Sequence, residues 1–198
     1  IATKAQVFHS NKGPVTFSYE NKIRLPVNKN KLIVEVKYVG LNPVDLKIKN
    51  GYTKAIYGEA GLGREYSGVI THVGENLSEK WHQGDDVFGI YFHPHLAKGC
   101  LQTSILVDPS VDPILPRPVN VDPKEAAGAL YVLGTAFNIL DRLDTKGFLK
   151  QDSNVLINGG TSSVGMCAIQ LLKRYYQLTK KIVVVTTGSS AERLRQFY

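Results

Sequence analysis

The chain has 198 residues, 43% of them apolar and 21% charged, with a formal net charge of +7. That length buries a core without disulfide support, as one large domain or two small ones. No run approaches the roughly 18 apolar residues of a membrane-spanning helix, and two cysteines, Cys100 and Cys167, make no disulfide framework and point to a reducing, cytoplasmic setting.

The chain opens on "IATKAQVFHS", which has neither the apolar core nor the cleavage site of a signal peptide. It carries no initiator methionine, so the natural chain is expected to begin earlier. "KLIVEVKYVGL" (31–41) alternates apolar and charged residues and predicts a half-buried strand. "EYSGVITHVGE" (65–75) and "DDVFGIYF" (85–92) predict two more, and the Gly and Pro between them suggest a folded-over, barrel-like unit. Prolines at 109, 113, 116, 118 and 123 mark a linker-like stretch.

From Asp122 the pattern changes. "DPKEAAGALYVLGTAFNIL" (122–140) predicts a helix, with Asp122 as N-cap, Pro123 in the first turn and Glu125 three residues past the cap. "SNVLIN" (153–158), a helix from about Ser163 to Gln177, and "KKIVVVTTG" (180–188) then read as strand, helix, strand. That is a βαβ unit and the start of a parallel sheet. A last helical pattern, "SAERLRQFY", follows. One βαβ unit cannot cover both faces of a parallel sheet, so the sequence is expected to be part of a longer protein or to have a partner over that face. The domains expected are 1–121 and 122–198.

The turn in "VLINGGTSSVG" (155–165) has the layout of a dinucleotide-binding turn, where backbone must approach a pyrophosphate at a helix N-terminus. Gly159 and Gly160 supply the turn, and Gly165 suits close packing of helix on strand. Thr161, Ser162, Ser163 and Val164 fill the rest. The two serines offer hydroxyls to a phosphate, but their Cβ atoms narrow the approach; a tight turn without a ligand reads the same way. Apolar residues at 164, 167, 168, 171, 172 and 175 give the following helix its sheet-facing stripe. The second strand ends in Thr186, Thr187, Gly188, Ser189 and Ser190, with no acid until Glu192 and then Arg193. Thr187, Ser189 and Arg193 suit the 2′-phosphate of NADP(H) better than the bare ribose of NAD.

The segments "VGLNPVDLKIKNG" (39–51), "GREYSGVITHVGENLSEKWHQGDDVFGIY" (63–91), "GTAFNIL" (134–140) and "VLINGGTSSVG" (155–165) occur in the order seen in medium-chain dehydrogenase/reductases. The chain resembles their zinc-free quinone-oxidoreductase branch, and within it the fungal Ast group. The resemblance implies an α/β fold: a GroES-like β-barrel N-terminal domain, then the start of a Rossmann doubly wound parallel sheet. It also implies possible partners and places: a plasma-membrane P-type proton ATPase that such proteins target or stabilise, peripheral membrane association from the cytoplasm, and a homo-oligomer. Asn42 and Asp45 match the family's N-x-x-D beside the nicotinamide pocket; Lys47 stands where some reductases have tyrosine, and Thr135 matches a position facing the nicotinamide. Asn42, Asp45 and Lys47 are thus the candidate catalytic residues and Thr135 a candidate cofactor residue. Each has a plainer reading: a turn carboxylate for Asp45, a surface lysine for Lys47, a threonine bonding its own helix for Thr135. Tyr66 and Tyr91 read as core aromatics.

No zinc is expected. Asn42-Pro43 and Arg64 stand where zinc-dependent relatives place ligands, and an arginine cannot be one. His93, His95 and Cys100 are the residual candidates, in a segment that reads as a surface turn. The cations are spread, with no aromatic-interleaved basic stripe, so no nucleic-acid partner is expected. Two functions remain open, with a third between them: a membrane-associated targeting factor with weak or no catalysis, a zinc-independent NADPH reductase of quinones or enones, and a protein that binds NADPH without turnover.

Overall fold

The structure is a computed structural model that describes residues 2–8, 16–51, 60–91 and 99–197. Two units divide at Leu130/Tyr131.

The first unit holds two antiparallel sheets. One has the order β2(Thr16–Lys22)–β1(Ala2–Phe8)–β4(Ala60–Gly61); the other has the order β7(Ser104–Val107)–β3(Leu32–Gly40)–β5(Glu65–Val73)–β6(Asp86–Ile90)–β8(Ile114–Pro116). The alternation expected for β3 holds only in its second half. Leu32, Ile33 and Val34 are all fully buried, because this central strand is paired on both edges there, with β5 and β7, and is covered on both faces. Leu32, Val34, Tyr66, Ile70, Trp81, Val87, Tyr91, Ile105 and Val107 form the core, each large apolar side chain contributing roughly 1.5–3 kcal/mol by burial.

The proline-rich stretch is more than a linker, since β8 within it pairs with β6 through Val87↔Pro116 and Gly89↔Ile114. The helix expected over 122–140 is two helices, α2(Pro123–Ala127) and α3(Leu130–Thr145). Asp122 caps α2 by accepting the Lys124 N–H at 2.8 Å, and the helix stops at Gly128, a residue about 1 kcal/mol less favourable than alanine in a helix. α2 belongs to the first unit. Ser67 Oγ donates to Pro123 O at 2.6 Å, and this bond helps carry the unit past residue 121 to Leu130. A short helix, α1(Pro43–Lys49), follows β3.

The second unit contains the expected βαβ: β9(Val155–Asn158), α4(Ser163–Arg174) and β10(Ile182–Val185), followed by α5(Gly188–Phe197). β9 and β10 run parallel, in register from Ile182↔Val155 to Val185↔Asn158. α4 fully buries Gly165, Ile169 and Leu172; of the expected stripe Ala168, Leu171 and Leu172 pack into the core, whereas Tyr175 is 64% exposed. Leu172 packs with Leu140 and Leu149 against Val155, Ile157 and Ile182. Alternation then leaves Leu156, Val183 and Val185 exposed on the opposite face. Among the described residues no helix is long and apolar enough to cross a membrane.

Candidate functional site

In the first unit the candidate residues gather where β3 enters α1. Pro43 occupies the first helical turn and Asn42 precedes it in extended conformation. Asp45 lies one turn in and is 5% exposed. Its Oδ2 accepts the Asn42 N–H at 2.8 Å, the reach-back of a helix-capping carboxylate. Its Oδ1 accepts the Gly63 N–H at 2.9 Å. Both oxygens of Asp45 are therefore committed to backbone. Asn42 Nδ2 donates to Glu65 Oε1 at 2.7 Å, across a buried gap.

The structure thus brings Asn42 and Asp45 together and adds two residues that sequence reasoning left out, Glu65 and the Gly63 amide. The signal available in the sequence was the run Gly63-Arg64-Glu65, which sets two charged residues at the head of the apolar strand pattern "EYSGVITHV". Lys47 is exposed on α1 and takes no part in this network. Arg64 is buried and donates from Nη2 to Gly61 O at 3.1 Å.

Around them lie Tyr66, Tyr91, Cys100 and Asp112, all buried. Burial pushes the Tyr66 and Tyr91 phenols up, reinforced by Asp112. Burial also pushes up the Cys100 thiol, with Asp45 adding to the effect. The Cys100 thiol donates to Glu65 O at 3.3 Å. Among the described residues no three His, Cys, Asp or Glu side chains are grouped to hold a metal ion; His93 and His95 lie outside the described residues.

In the second unit the turn after β9 is built by its glycines. Gly159 has φ +79° with open space where a Cβ would stand. A Cβ on Gly160 would collide with Val184 Cγ1, and one on Gly165 would lie 2.5 Å from Gly159 O and 2.7 Å from Gly160 Cα. Two of the three glycines are thus required by packing inside the turn, not by clearance for a phosphate.

Ser162 is the N-cap of α4, its Oγ accepting the Gly165 N–H at 3.1 Å. Its hydroxyl closes one amide of the helix entrance. The amides of Ser163 and Val164 are left without an acceptor among the described residues, and a helix entrance of this kind attracts an anion. Thr161 Oγ1 and Thr186 Oγ1 share a hydrogen bond of 2.7 Å, which ties the turn to the end of β10. Thr186 was not among the expected site residues. Thr187 Oγ1 donates to Ser190 Oγ at 3.0 Å, and Ser189 is exposed at the start of α5. The Arg193 side chain lies outside the described residues. Thr135 Oγ1 donates to Tyr131 O at 2.7 Å, within its own helix.

An antiparallel barrel-type unit followed by a βαβ unit with an open helix entrance defines the class. The fold is that of the medium-chain dehydrogenase/reductases, and residues 28–108 match the alcohol dehydrogenase GroES-like domain. It is similar to two proteins of Saccharomyces cerevisiae: protein AST2, 66% identical over 100% of this chain and 46% of that protein, and protein AST1, 64% identical over 99% of this chain and 46% of that protein. The chain therefore spans about half the length of the curated relatives it matches. Its fold is similar to that of the quinone oxidoreductase from Coxiella burnetii, with a TM-score of 0.83 and 24% identity over 99% of this chain and 60% of that one.

Proposed function

We propose that the protein to which this chain belongs is a reductase-fold targeting factor. It helps deliver or stabilise a plasma-membrane P-type proton ATPase, acts peripherally from the cytoplasmic side, binds NADP(H), and has weak or no catalysis. The observation that carries the last point is the commitment of both Asp45 oxygens to the Asn42 and Gly63 amides. A carboxylate so bonded is a fixed strut rather than a proton carrier. Asn42 is likewise engaged by Glu65. The ATPase part of the reading rests on the Ast-group resemblance of the sequence, with which the similarity to AST2 and AST1 agrees.

The turn fits a nucleotide. Ser163 and Val164 would give their amides to the pyrophosphate, with Gly159 open in front. Thr187, Ser189 and Arg193 would meet the 2′-phosphate. When bound, NADPH supplies a hydride. That fit favours a second reading, a zinc-independent NADPH reductase of quinones or enones.

One comparison separates the two. The full-length protein is assayed for NADPH oxidation against a panel of quinones and enones and, in parallel, for co-purification with the proton ATPase. Recovery of the ATPase with negligible turnover supports the targeting reading. Fast turnover without ATPase recovery assigns the reductase.

A further inference from the structure

Three stretches distant in sequence meet at one pole of the second unit. β9 and β10 are parallel, so their starts share one edge. The Thr179 N–H and hydroxyl both donate to Gln151 O, at 2.8 and 3.0 Å, which fixes the turn before β9 beside the turn before β10. α4 runs back against the strands and ends at this same edge, where the Leu178 N–H bonds Leu172 O. Leu149 is buried with Leu140 and Leu172 and anchors the chain leaving α3. The glycine turn lies at the opposite end of the strands.

This pole is basic and aromatic. Lys146, Lys150, Arg174, Lys180 and Lys181 are exposed, and none of them is in an ion pair among the described residues. The acids beside them are Asp141, Asp144 and Asp152, all exposed, with Asp141 and Asp144 acting on Tyr176; the five cations outnumber them. Phe148 is 72% exposed and Tyr175 64%, large values for rings. Tyr175 makes edge contacts with Phe137 and Tyr176, at centroid distances of 5.7 and 5.0 Å.

We propose that this pole is the surface that meets an anionic lipid bilayer, with the five cations at the headgroups and Phe148 and Tyr175 in the interface. The proposal rests on the membrane part of the reading above. Cations near an anionic leaflet each strengthen association roughly fivefold, tyrosine settles at the headgroup level, and an exposed phenylalanine beside cations enters the same boundary. A nucleic acid would call for parallel stacking on an open ring face, whereas Tyr175 is already held edge-on by two neighbours. The contact is reversible and salt-sensitive, because exposed charges carry it.

The test is co-sedimentation of the chain with phosphatidylcholine vesicles, with and without phosphatidylserine, at low and high salt. A fluorescent RNA oligonucleotide is titrated in parallel. The wild-type chain is expected to sediment with the phosphatidylserine vesicles at low salt, to be released at high salt, and to stay with the supernatant of the neutral vesicles. Lys180→Glu with Lys181→Glu lowers the binding at least tenfold, and Phe148→Ser lowers it about threefold, both with unchanged circular dichroism. Equal binding to neutral vesicles overturns the proposal and points to the bare sheet face of Leu156 and Val183. Undiminished binding by the charge-reversed variant, or tighter binding of RNA than of vesicles, overturns it too. ATPase co-purification is scored separately on the full-length protein. If it persists while vesicle binding is absent, only the lipid surface falls; if vesicle binding holds and no ATPase is recovered, only the targeting reading falls.

Discussion

Asp45 and Gly63 are joined across eighteen residues by a buried hydrogen bond of 2.9 Å from the Gly63 amide to Oδ1. The other oxygen caps α1 through Asn42. One side chain thereby fixes the start of a helix and the strand entrance that follows it. Asp45→Asn keeps one carbonyl oxygen and presents an NH2 group to an amide that needs an acceptor. The expected cost is about 1–3 kcal/mol for the stranded buried donor. That is several degrees of thermal midpoint for a chain of this size, read by thermal or urea unfolding. NADPH affinity is expected to stay within twofold. A loss of turnover without a loss of stability would instead place Asp45 in catalysis.

The three turn glycines should differ in tolerance. Gly165→Ala drives a Cβ into Gly159 O and Gly160 Cα, which are backbone atoms that cannot rotate away. The expected loss is about 3 kcal/mol or more, of the size seen for forced overpacking. Gly159→Ala meets no atom and costs only the left-handed conformation, about 1–2 kcal/mol. Urea midpoints of the two variants, compared side by side, give the order.

Ser162 and Ser163 also separate. Ser162→Ala removes the cap on Gly165 and is expected to cost about 1 kcal/mol, whereas the exposed Ser163→Ala costs less than about 0.5 kcal/mol. Ser163→Pro is the sharper variant. It places proline at the first helical position, where its fixed φ is welcome, and removes one of the two open amides. Unchanged stability with about tenfold weaker NADPH binding, near 1.4 kcal/mol, is the expected result by fluorescence titration.

Alkaline pH should destabilise the chain. In the folded state Cys100, Tyr66 and Tyr91 are all pushed above their ordinary values of 9.0, 10.0 and 10.0 by burial. Between the unfolded and folded values the unfolded chain has fewer protons bound at these sites, so unfolding stability falls as pH rises. Their contribution is complete below about pH 9 and is lost progressively above it. Urea midpoints across this range check the sign. At pH 8 a thiol reagent is expected to label the half-exposed Cys167 and to reach the buried Cys100 only after unfolding.

The Thr161–Thr186 bond links the turn to β10, and its worth is accessible to a double-mutant cycle. Thr161→Val with Thr186→Val should show a coupling of about 0.5–1.5 kcal/mol in stability. A coupling of zero would mean that the two hydroxyls are held by water equally well.

The sequence by itself determined the βαβ unit at 153–188, the strands that became β3, β5 and β6, and the start of α2 at its Asp122–Pro123 cap. These signals are legible because periodicity, caps and glycine conformation are carried by residues within a turn or a few positions of one another. Only the tertiary structure decided what the same residues touch. It broke the 122–140 helix at Gly128 and gave α2 to the first unit. It set Asp45 on Gly63, eighteen residues away, and Gly160 against Val184, on the neighbouring strand. It also gathered Lys146, Phe148, Arg174, Tyr175 and Lys180 at one pole, although no contiguous stretch reads as a basic aromatic stripe. Partners brought together by chain closure leave no local pattern, because the periodicity of an element fixes which face is buried but not which distant atom meets it.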